Sequence, residues 1–499
     1  MIIGVLTKWV ITPLVVEDQV YQTLELIEGT KGYEVWLEPP NEIYTKYYFF
    51  HVTNPDEILD GNTPNLTEVG PYVYKETRKK QNVIPLGDDE LQYGQYIRYD
   101  FDLERTQSEG CLHPVTGLPC RKSDVLTVIN APLVGVLNII ESLPDFEIEL
   151  LPGFTFTIKG FLYDLINQKV LTGDEYKDEV FHEYAVDDIL WSGYNPGIMK
   201  YFFNILDTLE DTIHSSFNIT LDLESYLPPQ IQNGTLAYFR DKNATDANSF
   251  YKINRGRHDK GKYCMIEELN GKSELPDWWW PNIPVSPTAQ SSGIKDTCHT
   301  LRGSDGVFFP PFIDKNYPLW LYVPDLCRSV FADYESETEI KGIKAWRFRA
   351  NLDLINYARP ENLCFCPAFR QCAIDSGTGY WDLSNCDKPC LDGTLHASGC
   401  LGVPVVLSAP HFYNADTSLE KAINGLKSNI DLHDTYLDVE PTSGITLSAH
   451  KRGQVRHSKN VHTFYLEKVL FFMLDQCSIE SNHRKVWFGV SHSHFGQCT

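Results

Sequence analysis

No stretch of this 499-residue chain is apolar for long enough to cross a bilayer as a helix, which takes about 20 residues. Met1–Val16 is apolar but short and is interrupted by Lys8 and Pro13; Phe464–Leu474 has only eleven residues and includes Glu467 and Lys468. With no basic n-region and no small-residue cleavage site, Met1–Val16 does not read as a signal peptide. Positive charge is scarce as well. Against 67 Asp and Glu there are 43 Lys and Arg, a net charge of −24, which excludes a general nucleic-acid binder. The acidic excess forms few long runs and reads as a solvated surface. No internal repeat or low-complexity block marks the chain as a repeat array.

Enzymatic signatures are missing too. There is no G-x-S-x-G elbow, so the common esterase signature is absent. Asn270-Gly-Lys-Ser273 ends like a P-loop, yet residue 266 is Ile where the leading glycine belongs. His182-Glu183 opens like a zincin helix, but position 186 is Val rather than the second histidine. His492 and His494 are an incidental pair in the tail. A dispersed triad leaves no local mark, but every readable constellation fails its own test. We expect no enzymatic activity, no cofactor and no bound metal.

What the chain has in quantity is hydrophobic residues, at 42%, with 13% aromatics, enough for a sizeable core. Its length alone suggests two or three domains, although large β-rich ectodomains can form one unit. Cysteine is concentrated: six of thirteen, Cys364, Cys366, Cys372, Cys386, Cys390 and Cys400, fall within 363–400, and Cys298 and Cys327 lie just upstream. Dense cysteines are metal ligands or disulfides. Cys364 and Cys366 are too close for a zinc knuckle. Cys386, Cys390, His396 and Cys400 leave a three-cysteine, one-histidine site as the metal alternative. Four sequons, at Asn65, Asn218, Asn233 and Asn243, place the chain in the secretory pathway and favour disulfides.

Cys327-Arg-Ser-Val-Phe-Ala332, Asn362-Leu-Cys-Phe-Cys-Pro367 and Leu407-Ser-Ala-Pro-His-Phe412 occur in that order. Upstream stand Val52-Thr-Asn-Pro-Asp-Glu57, Val69-Gly-Pro-Tyr-Val-Tyr74 and Leu190-Trp-Ser-Gly-Tyr194; downstream, Thr435-Tyr-Leu-Asp-Val-Glu-Pro-Thr-Ser-Gly-Ile-Thr446. In order and spacing the set resembles the ectodomain of the class B scavenger receptors, of the fatty acid translocase and lysosomal integral membrane protein type, over roughly residues 17 to 455. The resemblance implies an α+β fold: a large antiparallel β-barrel ectodomain, a helical-bundle insertion at the membrane-distal end and an internal lipid tunnel. It implies lipids or lipoprotein-like particles as partners, and a plasma or lysosomal membrane location with the bulk of the chain extracellular or lumenal. The family is anchored by a helix at each end. Residues 1–16 therefore read as the remnant of an N-terminal membrane helix, 17–475 as a single ectodomain, and 476–499 as an atypical tail of a chain shortened at both ends.

The residue patterns agree with that outline. Val20, Leu24 and Ile27 give a helix closed by Gly29. Tyr33–Leu37, Ile43–Val52, the stretch from Gly70 to Tyr74 and Tyr93–Leu103 read as strands, with a helical turn at Asp56–Leu59. A helical crown is expected over about 123–230, from Leu133, Leu137 and Ile140, from Phe161 to Ile166, from Asp187–Trp191 and from Ile198–Ile213. Strands return at Thr235–Arg240, Ser249–Asn254, Lys341–Arg349, Val403–Leu407 and Ile445–His450.

Disulfides within 298–400 follow from the resemblance, not from spacing. The family pattern pairs Cys298 with Cys364, Cys327 with Cys386 and Cys366 with Cys372. Cys390 and Cys400, in an insertion, are then paired with each other. Cys111 and Cys120 bracket a turn-rich loop and are paired locally, which leaves Cys264, Cys477 and Cys498. The family meets its ligands on the crown, which makes Phe154, Phe156, Phe161, Leu162, Leu165 and Ile166 candidates for an apolar entrance, set against plain helix packing. Lipid transfer needs no catalytic group. At about 0.8 kcal/mol per buried methylene, a fifteen-methylene chain gains on the order of 12 kcal/mol gross.

One departure stands out. Between Glu141 and Asp188 there are twelve Asp or Glu against Lys159, Lys169 and Lys177, a surface that repels polyanions. It suits neutral lipid, or a basic protein cargo docked on the crown and released by acid through His182. The loop Arg255–Lys262 is an alternative anion site. Trp278-Trp-Trp280 reads as a membrane-proximal anchor or a buried aromatic cluster.

Overall fold

Ile43–Val52 is a run of aromatic and β-branched residues, which favours extended chain, and all but one of its ten residues are buried. A strand covered on both faces belongs in the interior of a large sheet. The structure, a computed structural model, describes residues 12–39, 42–142, 147–151, 154–157, 160, 162, 180–195, 197–217, 220, 235–239, 242–244, 249–280, 298–357, 359–366, 390–401, 405–457 and 477–482.

In chain order the strands are β1 (Ile43–Val52), β2 (Leu66–Leu86), β3 (Glu90–Phe101), β4 (Val125–Ile129), β5 (Glu147–Leu151), β6 (Phe154–Thr157), β7 (Phe181–Ala185), β8 (Phe250–Asn254) and β9 (Ile266–Leu269). There follow β10 (Leu319–Val323), β11 (Arg328–Ile340), β12 (Ile343–Ala350), β13 (Thr394–His396), β14 (Val405–Ser408), β15 (Tyr436–Glu440), β16 (Ile445–His457) and β17 (Cys477–Asn482). The helices used below are α1 (Thr12–Leu24), α2 (Lys31–Leu37), α3 (Ala131–Ser142), α4 (Gly197–Phe217), α5 (Thr417–Lys421) and α6 (Ile430–His433).

Thirteen strands form one antiparallel sheet in the order β10-β11-β12-β15-β16-β17-β1-β2-β3-β8-β9, with β14 also on β16 and β13 on β14. The expected closed barrel is corrected to an open sheet, because edge strands β9 and β10 do not pair with each other. A short segment lies between them instead. Ile266 donates to Gly303 O at 2.9 Å, and Tyr322 to Ser304 O at 3.0 Å. Gly303 sits at φ 101°, and a Cβ there would come within 2.4 Å of the Trp320 backbone; only glycine lets this segment lie so close. The sheet also takes in β17, beyond the boundary expected at 475.

Three local expectations change. Tyr33–Leu37 lies in helix α2, not a strand, because the Thr30 side chain caps its first turn by accepting from Tyr33 N–H. In place of the strand expected at Thr235–Arg240, the described residues 235–239 hold a single bridge from Leu236 to Tyr194 followed by a turn. Among the described residues the crown is mixed, since β4 pairs with β7 and β5 with β6 in addition to α3 and α4. Val125-Leu-Thr-Val-Ile129 is rich in β-branched residues, and that preference prevails there.

The core is divided. One apolar cluster joins β1 and β2 to the crown through Tyr47, Tyr72, Leu126, Ile189 and Phe202. A second packs Trp36 of α2 against Tyr93 of β3, with Tyr263 and Phe308. Two more lie under the cysteine-rich segment and against β10, β11, β12, β15 and β16.

Candidate functional site

Cys298, Cys327, Cys364 and Phe365 pack in one cluster with Trp280. This indole is buried, donates through Nε1 to Cys327 O at 3.0 Å, and meets Phe365 edge-on at 4.7 Å. Arg328 lies over the other ring, 3.7 Å from the Phe365 centroid, and donates to Leu354 O at 2.8 Å. Burial pulls its guanidinium down to about 9. Asn362 donates to Asp353 O and Asn356 O at 2.7 and 2.9 Å, folding 351–366 into a tight plate.

Four disulfides occur among the described residues: Cys111–Cys120, Cys298–Cys364, Cys327–Cys400 and Cys366–Cys390. The last two correct the expected pairs Cys327–Cys386, Cys366–Cys372 and Cys390–Cys400. The stretch holds two cysteines beyond the family pattern, and the fold brings Cys327 and Cys400 to a Cα separation of 6.3 Å and Cys366 and Cys390 to 5.7 Å. With Cys390 and Cys400 so committed, the metal alternative built on them lapses. No cluster of metal ligands occurs among the described residues. Cys372 and Cys386 lie outside them, and Cys264 is a buried free thiol.

This plate borders an apolar cavity. Its walls are Leu321 and Val323 of β10, Leu326, Val330 and Ala332 of β11, Leu354, Ile355, Leu407 of β14, Leu437 of β15 and Ala449 of β16. The cavity has a volume of about 180 Å³. Its polar rim is formed by His433, Asp434, Thr435, Tyr436, His450, Lys451 and Arg452. Those charges are already engaged. Lys451 meets Asp325 at 2.5 Å, both buried, and burial lowers the lysine's pKa although Asp325 opposes the shift. Arg452 donates to Asp434 O at 2.7 Å, while Arg349 bonds the Asp434 carboxylate. Apolar walls together with polar groups suit an amphipathic ligand.

A second set of inward charges lies on β2: Glu76 bonds Arg78, and Lys80 meets Asp305 at 3.0 Å. Lys80 also donates to Trp36 O at 2.9 Å and sits 5.0 Å from that indole's centroid. These pairs are mutually neutralising and tie β2 to α2 and to the segment between the sheet edges.

Of the residues expected at the crown entrance, Leu162, Phe154 and Phe156 fall among the described residues. Leu162 is fully buried in the crown core, which is the packing role, and Phe154 and Phe156 fall on β6. Phe161, Leu165 and Ile166 lie outside the described residues. Of the sequons, Asn65 is half-buried and its carboxamide oxygen accepts from Asn424 at 2.8 Å. The Asn243 side chain accepts from Tyr99 N–H at 2.9 Å; Asn218 and Asn233 lie outside the described residues. His182 is exposed beside Tyr184. The Arg255–Lys262 loop is no open anion site: Arg257 pairs with Glu25, Lys260 with Glu17 of α1, and Lys262 with Glu267, at 2.8, 2.8 and 3.2 Å. Trp278 is exposed where Trp280 is buried.

Sequence reasoning missed the cavity, although three recognition motifs point into it. Val330 and Ala332 come from Cys327–Ala332, Leu407 and Ser408 from Leu407–Phe412, and Thr435 to Leu437 from Thr435–Thr446. The CD36 family model matches residues 1–463. The chain belongs to the CD36 family. Human lysosome membrane protein 2 is 30% identical over 443 residues, 88% of this chain and 74% of that protein. Sensory neuron membrane protein 2 of Anopheles gambiae is 28% identical over 483 residues, 90% and 78% of the two chains. Pig scavenger receptor class B member 1 is 25% identical over 451 residues, 89% and 71%. As a member of the CD36 family, the chain is a scavenger-receptor-like membrane glycoprotein. No helix among its described residues is long and apolar enough to cross a membrane.

Proposed function

We propose that this CD36-family protein binds hydrophobic ligands and passes lipid, a fatty acid, sterol or phospholipid, through its ectodomain without chemistry. The observation that carries the reading is the cavity beside the cysteine-rich plate, with apolar walls from β10, β11, β14 and Ala449 and with polar residues of 433–436 and 450–452 also lining it. An acyl chain or sterol ring system gains about 0.8 kcal/mol for each methylene it buries in such a space, and the rim receives a hydroxyl or carboxyl head. Removing apolar surface from water is the whole driving force, so no acid, base or nucleophile is needed.

The test is native mass spectrometry of the glycosylated protein with extraction of co-purifying lipid, run beside Ala449→Phe. Ala449 is a buried cavity wall, and a phenyl ring there occupies the space. A lipid in stoichiometric amount is expected on the parent chain, with at least a tenfold loss of occupancy in the variant, about 1.4 kcal/mol. A lipid-free parent that also takes up no labelled fatty acid or sterol rules the reading out.

A further inference from the structure

Two histidines stack face to face, and one of them, His433, lines the cavity. The rings of His411 and His433 are 4.3 Å apart and inclined by only 12°; each residue is 7% exposed. His411, the next-to-last residue of the motif Leu407–Phe412, lies in the left-handed region at φ 51°, and His433 closes α6. The segment between them uses both rings. Lys427 N–H donates to His411 Nδ1 at 2.9 Å, and Asn429 N–H to His433 Nδ1 at 3.0 Å. A ring nitrogen that accepts carries no proton, so each imidazole is neutral with its proton on Nε2. His411 Nε2 then faces Glu68 of β2 at 2.5 Å.

We propose that the His411–His433 stack is a proton-operated latch on residues 427–434. With both rings neutral the segment is held against the cavity; protonation releases it. The latch rests on the lipid reading of the cavity only for its consequence, discharge of ligand in acid. A proton placed on either Nδ1 points at a backbone N–H and abolishes that bond. Two imidazolium rings at this separation repel, so charging both rings would force the stack apart.

The surroundings set where the transition falls. Glu68 of β2 and Glu420 of α5 favour the charged ring, while burial, His411 and Arg452 of β16 oppose it, and His433 is held down at about 4. Arg452 also grips the segment, donating to Asp431 O at 3.0 Å and Asp434 O at 2.7 Å, with His450 beside it at 3.4 Å. Glu420 accepts from Ser428 N–H at 3.0 Å. Asp434 is committed to Arg349. Since His433 and Asp434 are themselves rim residues, release of the segment widens the polar side of the cavity.

Hydrogen exchange of the full chain at several values between pH 7 and pH 4, corrected for intrinsic rates, reads the latch without any ligand. Amides of 424–434 are expected to exchange at least tenfold faster at the acid end, while the β2–β3 hairpin keeps its protection. Glu68→Gln keeps a hydrogen-bond acceptor for His411 but removes the charge that favours protonation, and is expected to move the midpoint to lower pH. His433→Gln is expected to flatten the profile. Exchange in 424–434 that is independent of pH, or a Glu68→Gln midpoint that stays or rises, overturns the latch. Uptake of a labelled fatty acid is measured in parallel: no uptake at any pH defeats the lipid reading, and the exchange profile still decides the latch.

Discussion

Trp278 and Trp280 are two residues apart and differ in almost everything that decides a residue's worth. Trp280 is 2% exposed, bonded to Cys327 O and packed on Phe365, whereas Trp278 is 65% exposed. Trp280→Ala is therefore expected to cost about 3–5 kcal/mol, the range for deleting a large buried aromatic. Trp278→Ala should stay within about 0.5 kcal/mol. Urea melts of the two variants check this, and similar midpoints would contradict the assignment. Asp325 is a second residue with disproportionate weight, because it holds the buried Lys451 ammonium. Asp325→Asn leaves that charge uncompensated and is expected to destabilise by about 3–5 kcal/mol. Replacing both partners, Asp325→Leu with Lys451→Met, should recover most of the loss in the same melts, since the pair's own net worth is small once desolvation is counted.

At the scale of elements, the bridge Cys327–Cys400 joins the start of β11 to the short turn after β13 and closes a separation of 73 residues. Loss of both sulfurs by Cys327→Ala with Cys400→Ala is expected to lower stability by about 2–4 kcal/mol. The plate beside the cavity should loosen with it. Calorimetry gives the first, and a non-reducing digest should yield Cys327–Cys400 and Cys366–Cys390 peptides. Sequence reading reached the elements whose signal is local. β1 is aromatic and β-branched throughout, and Cys111–Cys120 is closed by its own turn. It failed where a competing contact decides: α2 has a strand-like composition but a capped first turn, and β4 finds β7 across more than 50 intervening residues. The cavity was illegible for a related reason. Its walls come from strands that are adjacent only in the finished sheet, so Val330, Leu407 and Leu437 announced a family without announcing that they line one cavity.

At the scale of the whole molecule, acid is the condition to which this fold should respond first. An ordinary histidine titrates near 6.5, whereas burial and His411 hold His433 at about 4 in the folded chain. As pH falls, the unfolded chain therefore takes up this proton before the folded chain does. Between about 6.5 and 4 the unfolded state binds more protons, so stability rises with pH across that window and is lost on descending it. The contribution is complete above 6.5 and gone below 4. Ordinary carboxylates titrate near 4, so the upper part of the window, from 6.5 down to about 5, isolates the histidines from general acid unfolding. The melting temperature should begin to fall there at constant ionic strength. His433→Gln, which has no proton to gain, should fall less steeply over the same interval, the remaining slope coming from groups such as His51, whose pKa burial also lowers. A parent chain whose melting temperature is level from pH 7 to pH 5 would mean that His433 titrates alike folded and unfolded, and the buried stack would then have no influence on global stability.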